Sequence, residues 1–512
     1  MVSTRVDYRV SLAYVGAVLS YLGVTPAFPL LLALYYGEDP LPFLLTSVVM
    51  IAAGTLLKRV DSGADLKMRE AFLLVSLAWL VVPLAGTLPY LLAGTGTVAQ
   101  PVNALFESMS GFTTTGATVL GEISIERHGH AMLLWRQLTQ WLGGMGILVL
   151  MVAILPELSV GGAQVINQEA PGPSLEKLTP RIQETARALW LIYAAFTVLA
   201  AVVYYVLHLV GVAPNMGLYN AVAHALTTLP TGGFSPEARS AEAFSPAIQW
   251  AIMAFMIVAG TNFALFWYVL KGEPRQLLEN AEFRSYLLTM GGLGALVTAT
   301  LFAGVGLAQT PTNVATIPGN LEPALRQALF QVIAVVTTTG YASMDFNTWH
   351  PAAQTILLFA FFLGGSAGSA AGSIKIVRWV VVKKSIGRSL YTSSHPEAVV
   401  PIRLDGGAVD ETAIRDVFVF VMLFLGLFAV STVLLYLDSF RSPDLSLTGL
   451  EAMSVAIATL GNVGPGFGPV GPMNSFLAFT PAAKLYMVFL MWIGRLEVLS
   501  VLVIFTPSFW RR

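Results

Sequence analysis

Thr113-Thr114-Thr115-Gly116 lies between two long apolar stretches, and the chain repeats that arrangement three more times. The other copies read Pro230-Thr231-Gly232-Gly233, Thr337-Thr338-Thr339-Gly340 and Ala458-Thr459-Leu460-Gly461. From Gly116 to Gly232, Gly340 and Gly461 the steps are 116, 108 and 121 residues. A single Thr/Gly string in apolar sequence carries little information. Four at near-constant spacing and in matching context imply one unit used four times. A polar, glycine-containing backbone segment inside lipid-soluble sequence, present in four copies, is what an ion filter requires.

The composition identifies the solvent. Of 512 residues, 55% are hydrophobic and 11% charged, more apolar surface than a soluble domain hides, so the surroundings are a lipid bilayer. A formal net charge of −1 gives no support for a nucleic-acid partner. The absence of cysteine excludes disulfides, thiolate metal sites and cysteine nucleophiles. The six histidines are scattered, with no pair at ligand spacing, and the intramembrane charges are isolated. A membrane enzyme would need convergent acid, base or metal groups, so the chain does not read as an enzyme. No Gly-rich phosphate loop opens a soluble domain, and no bound cofactor is expected. The first apolar run continues past Pro26 to about Leu34, which favours a retained membrane helix over a cleaved signal.

A helix crosses the hydrocarbon with about 20 apolar residues. Two N-terminal helices, roughly 10–36 and 41–57, precede the repeating pattern. Each unit then has an apolar helix (71–94, 182–211, 285–307, 412–437) and a short half-polar segment (102–113, 217–228, 321–336, 447–458). The glycine string and a second apolar helix follow, the latter at 131–154, 246–270, 352–382 and 481–506. The half-polar segments are too short to span and suit re-entrant pore helices, since irregular backbone at that depth must face water or protein. The expected fold is an all-α integral membrane protein with ten transmembrane helices. Four parallel helix–pore helix–helix repeats surround a central pore, beside an N-terminal helix pair. The corresponding boundaries are 1–69 for the pair and 70–156, 157–271, 272–384 and 385–512 for repeats 1 to 4.

The charges orient this layout. Most of the 28 Lys and Arg fall on the side of the termini and the linkers between units, from Arg5, Arg9 and Lys58 to Lys383, Lys384, Arg511 and Arg512. The other side carries Arg127, Arg136, Arg239, Arg326, Arg441 and Lys484. This asymmetry puts both termini in the cytoplasm. The glycine strings then enter from outside, all four in one orientation, unlike the inverted halves of many carriers.

Such a geometry selects a cation. Backbone carbonyls replace lost water without placing formal charge in the membrane, and glycine reaches φ > 0 at little cost. The filter positions expected are Thr114, Thr115, Gly116, Pro230, Thr231, Gly232, Thr338, Thr339, Gly340, Thr459, Leu460, Gly461 and Asn462. The strings lack acidic rings, so a monovalent cation that sheds water cheaply fits best. Glu107, Gln331 and Glu451 precede their glycines by nine, nine and ten residues, and His224 precedes Gly232 by eight. These polar groups read as buttresses bonding the loop from behind, with direct ion contact as the alternative.

With Phe112-Thr113-Thr114-Thr115-Gly116-Ala117-Thr118, Pro230-Thr231-Gly232-Gly233-Phe234-Ser235, Thr337-Thr338-Thr339-Gly340-Tyr341 and Gly461-Asn462-Val463-Gly464-Pro465-Gly466 in view, the chain resembles the Trk/Ktr/HKT superfamily of potassium transporters. The resemblance covers nearly the whole length and points to the bacterial TrkH-type membrane subunit. It implies potassium uptake across the bacterial inner (plasma) membrane by a channel-like or symport mechanism. In that superfamily four filter glycines accompany potassium selectivity, and a serine in the first repeat is associated with sodium transport. A sodium-selective or weakly selective relative of the same fold is the alternative. Leu460 departs from the threonine pattern, removing a hydroxyl while keeping a carbonyl. The resemblance further implies a homodimer attached to a cytoplasmic ring of nucleotide-binding (NAD/ATP-type) regulatory subunits. Linkers 156–181 and 383–411 are the expected docking surfaces.

Two features fit a gate. The helix expected at 352–382 is interrupted by small residues from Gly364 to Ser373, including Gly365, Gly368 and Gly372; within a helix each glycine costs about 1 kcal/mol relative to alanine. The resemblance makes this stretch an intramembrane gating loop, and a close helix-packing surface is the other reading. Gly143-Gly144-Met145-Gly146, Ala259-Gly260-Thr261-Asn262 and Ile493-Gly494-Arg495 soften the corresponding helices. Arg495 stands in an otherwise apolar helix and must face the aqueous cavity or a partner; a structural salt bridge is the plainer alternative. The resemblance makes it an electrostatic barrier below the filter.

Overall fold

The computed structural model describes residues 6–60, 67–153, 182–311 and 314–510. Linker 156–181 and the basic residues Arg5, Arg511 and Arg512 lie outside the described residues. Among the described residues the fold is helical, with one short β-hairpin pairing Arg403–Leu404 with Gly407–Ala408.

At the N-terminus α1 (Tyr8–Leu22) and α2 (Ala27–Tyr36) together form one apolar span, and α3 (Leu41–Lys58) folds back along it. Glycine allows the close crossing: a β-carbon on Gly16 would meet the Gly54 carbonyl at 2.6 Å, and one on Gly54 the Ser20 amide at 2.6 Å. The first unit contains α4 (Met68–Ala85), α5 (Leu88–Ala93), the short α6 (Pro101–Phe112) and α7 (Ile125–Ala153). The second contains α8 (Ile182–Leu209), the short α9 (Leu218–Thr228), α10 (Pro246–Ala259) and α11 (Phe263–Leu270). The third has α12 (Ala281–Phe302), the short α13 (Leu321–Val336), α14 (Pro351–Ala360) and α15 (Ile376–Ser394). The fourth has α16 (Glu411–Ser439), the short α17 (Gly449–Leu460), α18 (Pro481–Arg495) and α19 (Leu499–Leu502).

Among the described residues six helices are long and apolar enough to cross a membrane, and two bent pairs bring the number to eight. The bends are 97° between α10 and α11 and 109° between α18 and the segment Leu499–Phe505. Of the most apolar window of α16, 28% is buried by the rest of the chain. Met422, Val433 and Leu437 therefore point outward, an arrangement stable only in lipid. This is a multi-pass membrane protein.

The expected helices 246–270 and 481–506 bend near the soft points at Gly260 and Gly494, and two others differ. The stretch 352–382 is not one helix: the chain leaves helical conformation from Phe361 to Lys375, across the small-residue run. Conversely, α7 runs unbroken through Gly143 to Gly146, where softening was expected. Its Gly143 serves contact instead, because a β-carbon there would collide with the Phe112 carbonyl. The only interruption in α7 is Gly129, at φ 77° and ψ 162°.

That interruption docks the N-terminal pair. The helix restarts at His130, whose amide donates to Glu38 Oε1 at 2.6 Å while the Ala131 amide donates to Oε2 at 2.9 Å. Glu38, from the α2–α3 connection, thus caps a helix 92 residues away and sets negative charge at its positive end. The Tyr36 ring stacks on His130 at 3.7 Å. Glu38→Ala strands two amide donors; the expected cost is about 1 kcal/mol, read as a lower midpoint in thermal unfolding of the detergent-purified protein. An unchanged midpoint contradicts the capping role.

Candidate functional site

The four short helices end in the same way. The amides of Thr115, Gly232, Thr339 and Val463 each donate to the carbonyl five residues back, on Ser110, Thr227, Ala334 and Ala458, at 2.8–2.9 Å. The amides of Thr114, Thr231, Thr338 and Asn462 donate three residues back. These four residues sit in the left-handed region, at φ 52°, 56°, 55° and 54°. This is a helix-ending motif that ordinarily uses glycine; here threonine or asparagine holds it at a conformational cost. Two residues later comes a glycine with φ 81° (Gly116), 76° (Gly233), 73° (Gly340) and 104° (Gly464).

This repeating backbone corrects the register expected from the strings. Gly233, not Gly232, is the counterpart of Gly116 and Gly340, and Gly464, not Gly461, is the fourth. Gly461 stands level with Thr113, Pro230 and Thr337. Its amide bonds four residues back and its φ of −82° is open to any residue. Pro230 therefore precedes the hairpin proper. Thr459 and Leu460 are the last residues of α17 and belong to the helix, so the missing Leu460 hydroxyl has no counterpart in the hairpins. The strings match on their first glycine, whereas the backbone matches on the left-handed residue.

The four hairpins close a ring. A β-carbon on Gly116 would lie closer than 3.0 Å to the Gly232 carbonyl oxygen. In the same way Gly233 meets the Thr339 carbonyl, Gly340 the Val463 carbonyl and Gly464 the Thr115 carbonyl. Each glycine abuts the residue preceding the equivalent glycine of the next unit, and the fourth unit returns to the first. Side chains tie neighbours: Tyr341 Oη bonds Thr227 Oγ1 and donates to the His224 carbonyl at 3.1 Å. Asn347 exchanges hydrogen bonds with the Gly468 backbone at 2.8 and 3.0 Å. The Phe476 amide donates to the Thr118 carbonyl at 2.8 Å.

In the corrected register Glu107, His224 and Gln331 all lie nine residues before their glycine. Glu107 accepts from the Val119 amide at 2.9 Å and from Thr118 Oγ1; His224 Nε2 meets Ser235 Oγ at 3.0 Å; Gln331 donates to Ser343 Oγ at 3.1 Å. All three hold the returning limb of their hairpin from behind. Glu451 does not. It forms a capping box with Thr448 at the start of α17, and its carboxylate packs beside Gly468 with no place for a β-carbon between them. The fourth unit has Val455 at the buttress position, and Ser454 accepts from the Phe467 amide at 2.8 Å instead. Sequence reasoning missed Arg136, fully buried and 2.8 Å from Glu107, which also donates to the Ser235 carbonyl and stacks over Phe234. It missed Gln140 as well, bonded to Gly232 and Phe234. The signal for the right register was available, because the one eight-residue step, His224 to Gly232, becomes nine at Gly233.

The irregular segment 361–375 packs against these hairpins. The Gly372 amide donates to Thr338 Oγ1 at 2.8 Å, and a β-carbon on Gly372 would meet Asn462 Cβ at 3.1 Å. The Gly364 amide bonds the Ile374 carbonyl, closing the segment on itself, and Gly365 abuts the Gly260 carbonyl. Gly368, at φ 77°, packs on Asn262, and the Phe263 amide donates to its carbonyl. Two buried cations grip the segment: Arg495 donates to the Ala370 carbonyl at 2.7 Å, and Lys375 Nζ donates to the Ala371 carbonyl. Glu282 accepts from the Ala367 amide at 2.7 Å. Glu497 does not pair with Arg495; it pairs with Arg378 at 2.5 Å, whose guanidinium lies 3.8 Å over the Phe420 ring.

Comparison with known proteins places this geometry in context. The sequence model of a family described as "TrkH: Cation transport protein" matches residues 42–512. The chain is 35% identical over 511 residues to the Trk system potassium uptake protein TrkH of Salmonella typhimurium, covering 98% of this chain and 99% of that one. It is 30% identical to the Trk system potassium uptake protein TrkG of Escherichia coli, covering 94% of each. The crystal structure of the potassium transporter TrkH from Vibrio parahaemolyticus superposes with a TM-score of 0.84 at 32% identity, over 99% of this chain and 100% of that one.

Because Arg136 and Glu107 are both desolvated, removing one partner strands the other. Glu107→Ala is expected to destabilise by about 3–5 kcal/mol, visible as a collapse in the yield of folded, monodisperse protein. Arg136→Met in the same background should recover part of that yield. Failure of the pair to couple contradicts the assignment.

Proposed function

This chain belongs to the TrkH family of cation transport proteins, and from that premise we propose that it carries potassium into the cell through a filter formed by its four hairpins. A transporter family is not an enzyme family, and the charges of the site fit that reading: they brace backbone and do not converge on a reacting centre.

One observation carries the proposal, the closed ring in which Gly116, Gly233, Gly340 and Gly464 each abut a neighbour's carbonyl. Four strands of main-chain oxygens held that closely replace the hydration shell of a cation that dehydrates easily. The filter is then Thr114–Gly116, Thr231–Gly233, Thr338–Gly340 and Asn462–Gly464. The four short helices end at the hairpins, so their partly negative C-termini add to the attraction. Around this axis we place four parallel repeats (70–156, 157–271, 272–384 and 385–512) beside the N-terminal pair 1–69. The layout has ten crossings and both termini in the cytoplasm. The potassium ion is cargo; the chain itself needs no cofactor.

The segment 361–375 is read as the gate. It lies against the filter residues Thr338 and Asn462, and small residues let it move without repacking large side chains. Arg495 holds it shut and places positive charge on the cation path, an electrostatic barrier in a low-dielectric setting. The protein is taken to work as a homodimer, with nucleotide-binding regulatory subunits docked on the cytoplasmic side near 383–411.

Growth of a potassium-uptake-deficient bacterium at low potassium tests the filter and its register together. The unaltered chain should rescue growth, Gly464→Ala should abolish rescue, and Gly461→Ala, whose β-carbon would crowd only the Ile457 carbonyl of its own helix at 2.8 Å, should retain more of it than Gly464→Ala; the reverse order for the two glycines sinks the assignment. In vesicles, Arg495→Ala is expected to raise rubidium flux several-fold. Unchanged flux at equal protein level counts against the barrier.

A further inference from the structure

We propose that Gln140 is a specificity-determining positioning residue of the filter, whose amide supplies from the first unit the brace that the second hairpin lacks. The inference rests on the transport reading above.

The hairpins are braced in two ways. In units 1 and 3 the brace is internal. Thr113 Oγ1 lies 2.8 Å from Thr115 Oγ1, and Thr337 Oγ1 lies 2.8 Å from Thr339 Oγ1. The outer hydroxyl of each pair is anchored on its own helix, to the Met109 and Ile333 carbonyls at 2.7 Å. Unit 2 has Pro230 and Gly232 at these two positions, so neither hydroxyl exists. Gln140, fully buried on α7 of unit 1, takes over. Its Nε2 donates to the Gly232 carbonyl at 2.6 Å, and its Oε1 accepts from the Phe234 amide at 3.0 Å. The two bonds flank Gly233, clamping the filter glycine from both sides. Unit 4, with Gly461 and Val463, also reaches across: Asn462 Nδ2 donates to Thr115 Oγ1 and to the Met491 carbonyl, both at 2.9 Å.

Gly232 is matched to Gln140. Its φ lies outside the left-handed region, so the backbone does not require glycine there. A β-carbon on it would meet the Gln140 side-chain amide, with Oε1 at 2.5 Å and Nε2 at 2.8 Å. The amide fills the space that the threonine side chain fills in units 1 and 3. The same carbonyl, Gly232 O, is the one that abuts Gly116 in the ring. An N–H donated to it draws off electron density and fixes its direction, so the four carbonyls are not equivalent. Released from Gln140, this oxygen presents a stronger field and a looser position. Both changes favour a smaller, more strongly hydrated cation over potassium.

The test uses the full chain reconstituted in lipid vesicles, with potassium and sodium fluxes measured under matched gradients. Gln140→Met keeps the length of the side chain but neither donor nor acceptor. Gln140→Leu likewise removes donor and acceptor while keeping apolar bulk in the same place. Both are expected to conduct with a potassium-over-sodium ratio lowered by about tenfold, the scale of one buried hydrogen bond. Should either fold poorly, Gln140→Ala combined with Gly232→Ala removes the collision and is expected to show the same loss of discrimination. A purely structural role would lower total flux and leave the ratio unchanged, and an unchanged ratio in a folded variant overturns the inference while a selective unaltered chain keeps the transport reading intact. An unaltered chain without potassium-selective flux overturns both.

Discussion

Everything in the molecule is organised by the contact between a glycine α-carbon and the carbonyl oxygen of the neighbouring unit, repeated four times around a closed circuit. No side chain fits at Gly116, Gly233, Gly340 or Gly464, because the oxygen occupies the place of a β-carbon. The circuit also demands that Thr114, Thr231, Thr338 and Asn462 hold left-handed backbone, a conformation that disfavours β-branched side chains. Strain of this kind persists only where the surroundings over-determine it. Here they do, through the five-back and three-back amide bonds at each helix end and the buttresses Glu107, His224 and Gln331.

The same economy governs the charges. In a bilayer an isolated ionised group is costly, so each buried charge is committed to backbone or to a partner. Arg136 neutralises Glu107 and in the same stroke joins unit 1 to unit 2. Glu497 engages Arg378, leaving Arg495 to bond a carbonyl of the irregular segment. The proposed barrier relies on that difference: a cation paired to a carboxylate contributes little net field, whereas one without a carboxylate partner would keep its charge available to repel an incoming ion.

Much of this was legible in the sequence. The membrane setting, the two N-terminal helices, the four short helices and the interruption at Gly364–Ser373 follow from apolar run lengths and small-residue clusters, and the four short helices begin and end within a few residues of where they were expected. The register of hairpins 2 and 4 was not legible from the strings alone, because two adjacent glycines in Gly232-Gly233 and three closely spaced ones in Gly461–Gly466 offer equivalent matches. For hairpin 2 the nine-residue step from His224 chooses between them; for hairpin 4 only backbone dihedrals and amide partners do. Glu451 was misread for a related reason: a glutamate three residues after a threonine caps a helix start, and proximity in sequence to a glycine string hid that role. Gln140 and Arg136 act across unit boundaries, which no local pattern reports.

In the proposed function the Thr115, Gly232, Thr339 and Val463 carbonyls surround one ion path. An experimental structure of the protein soaked in thallium, with the anomalous signal located, addresses it most directly. The expected result is a peak on the axis within coordination distance of those four oxygens. A protein that transports potassium yet shows its bound thallium elsewhere, with that ring empty, would contradict it.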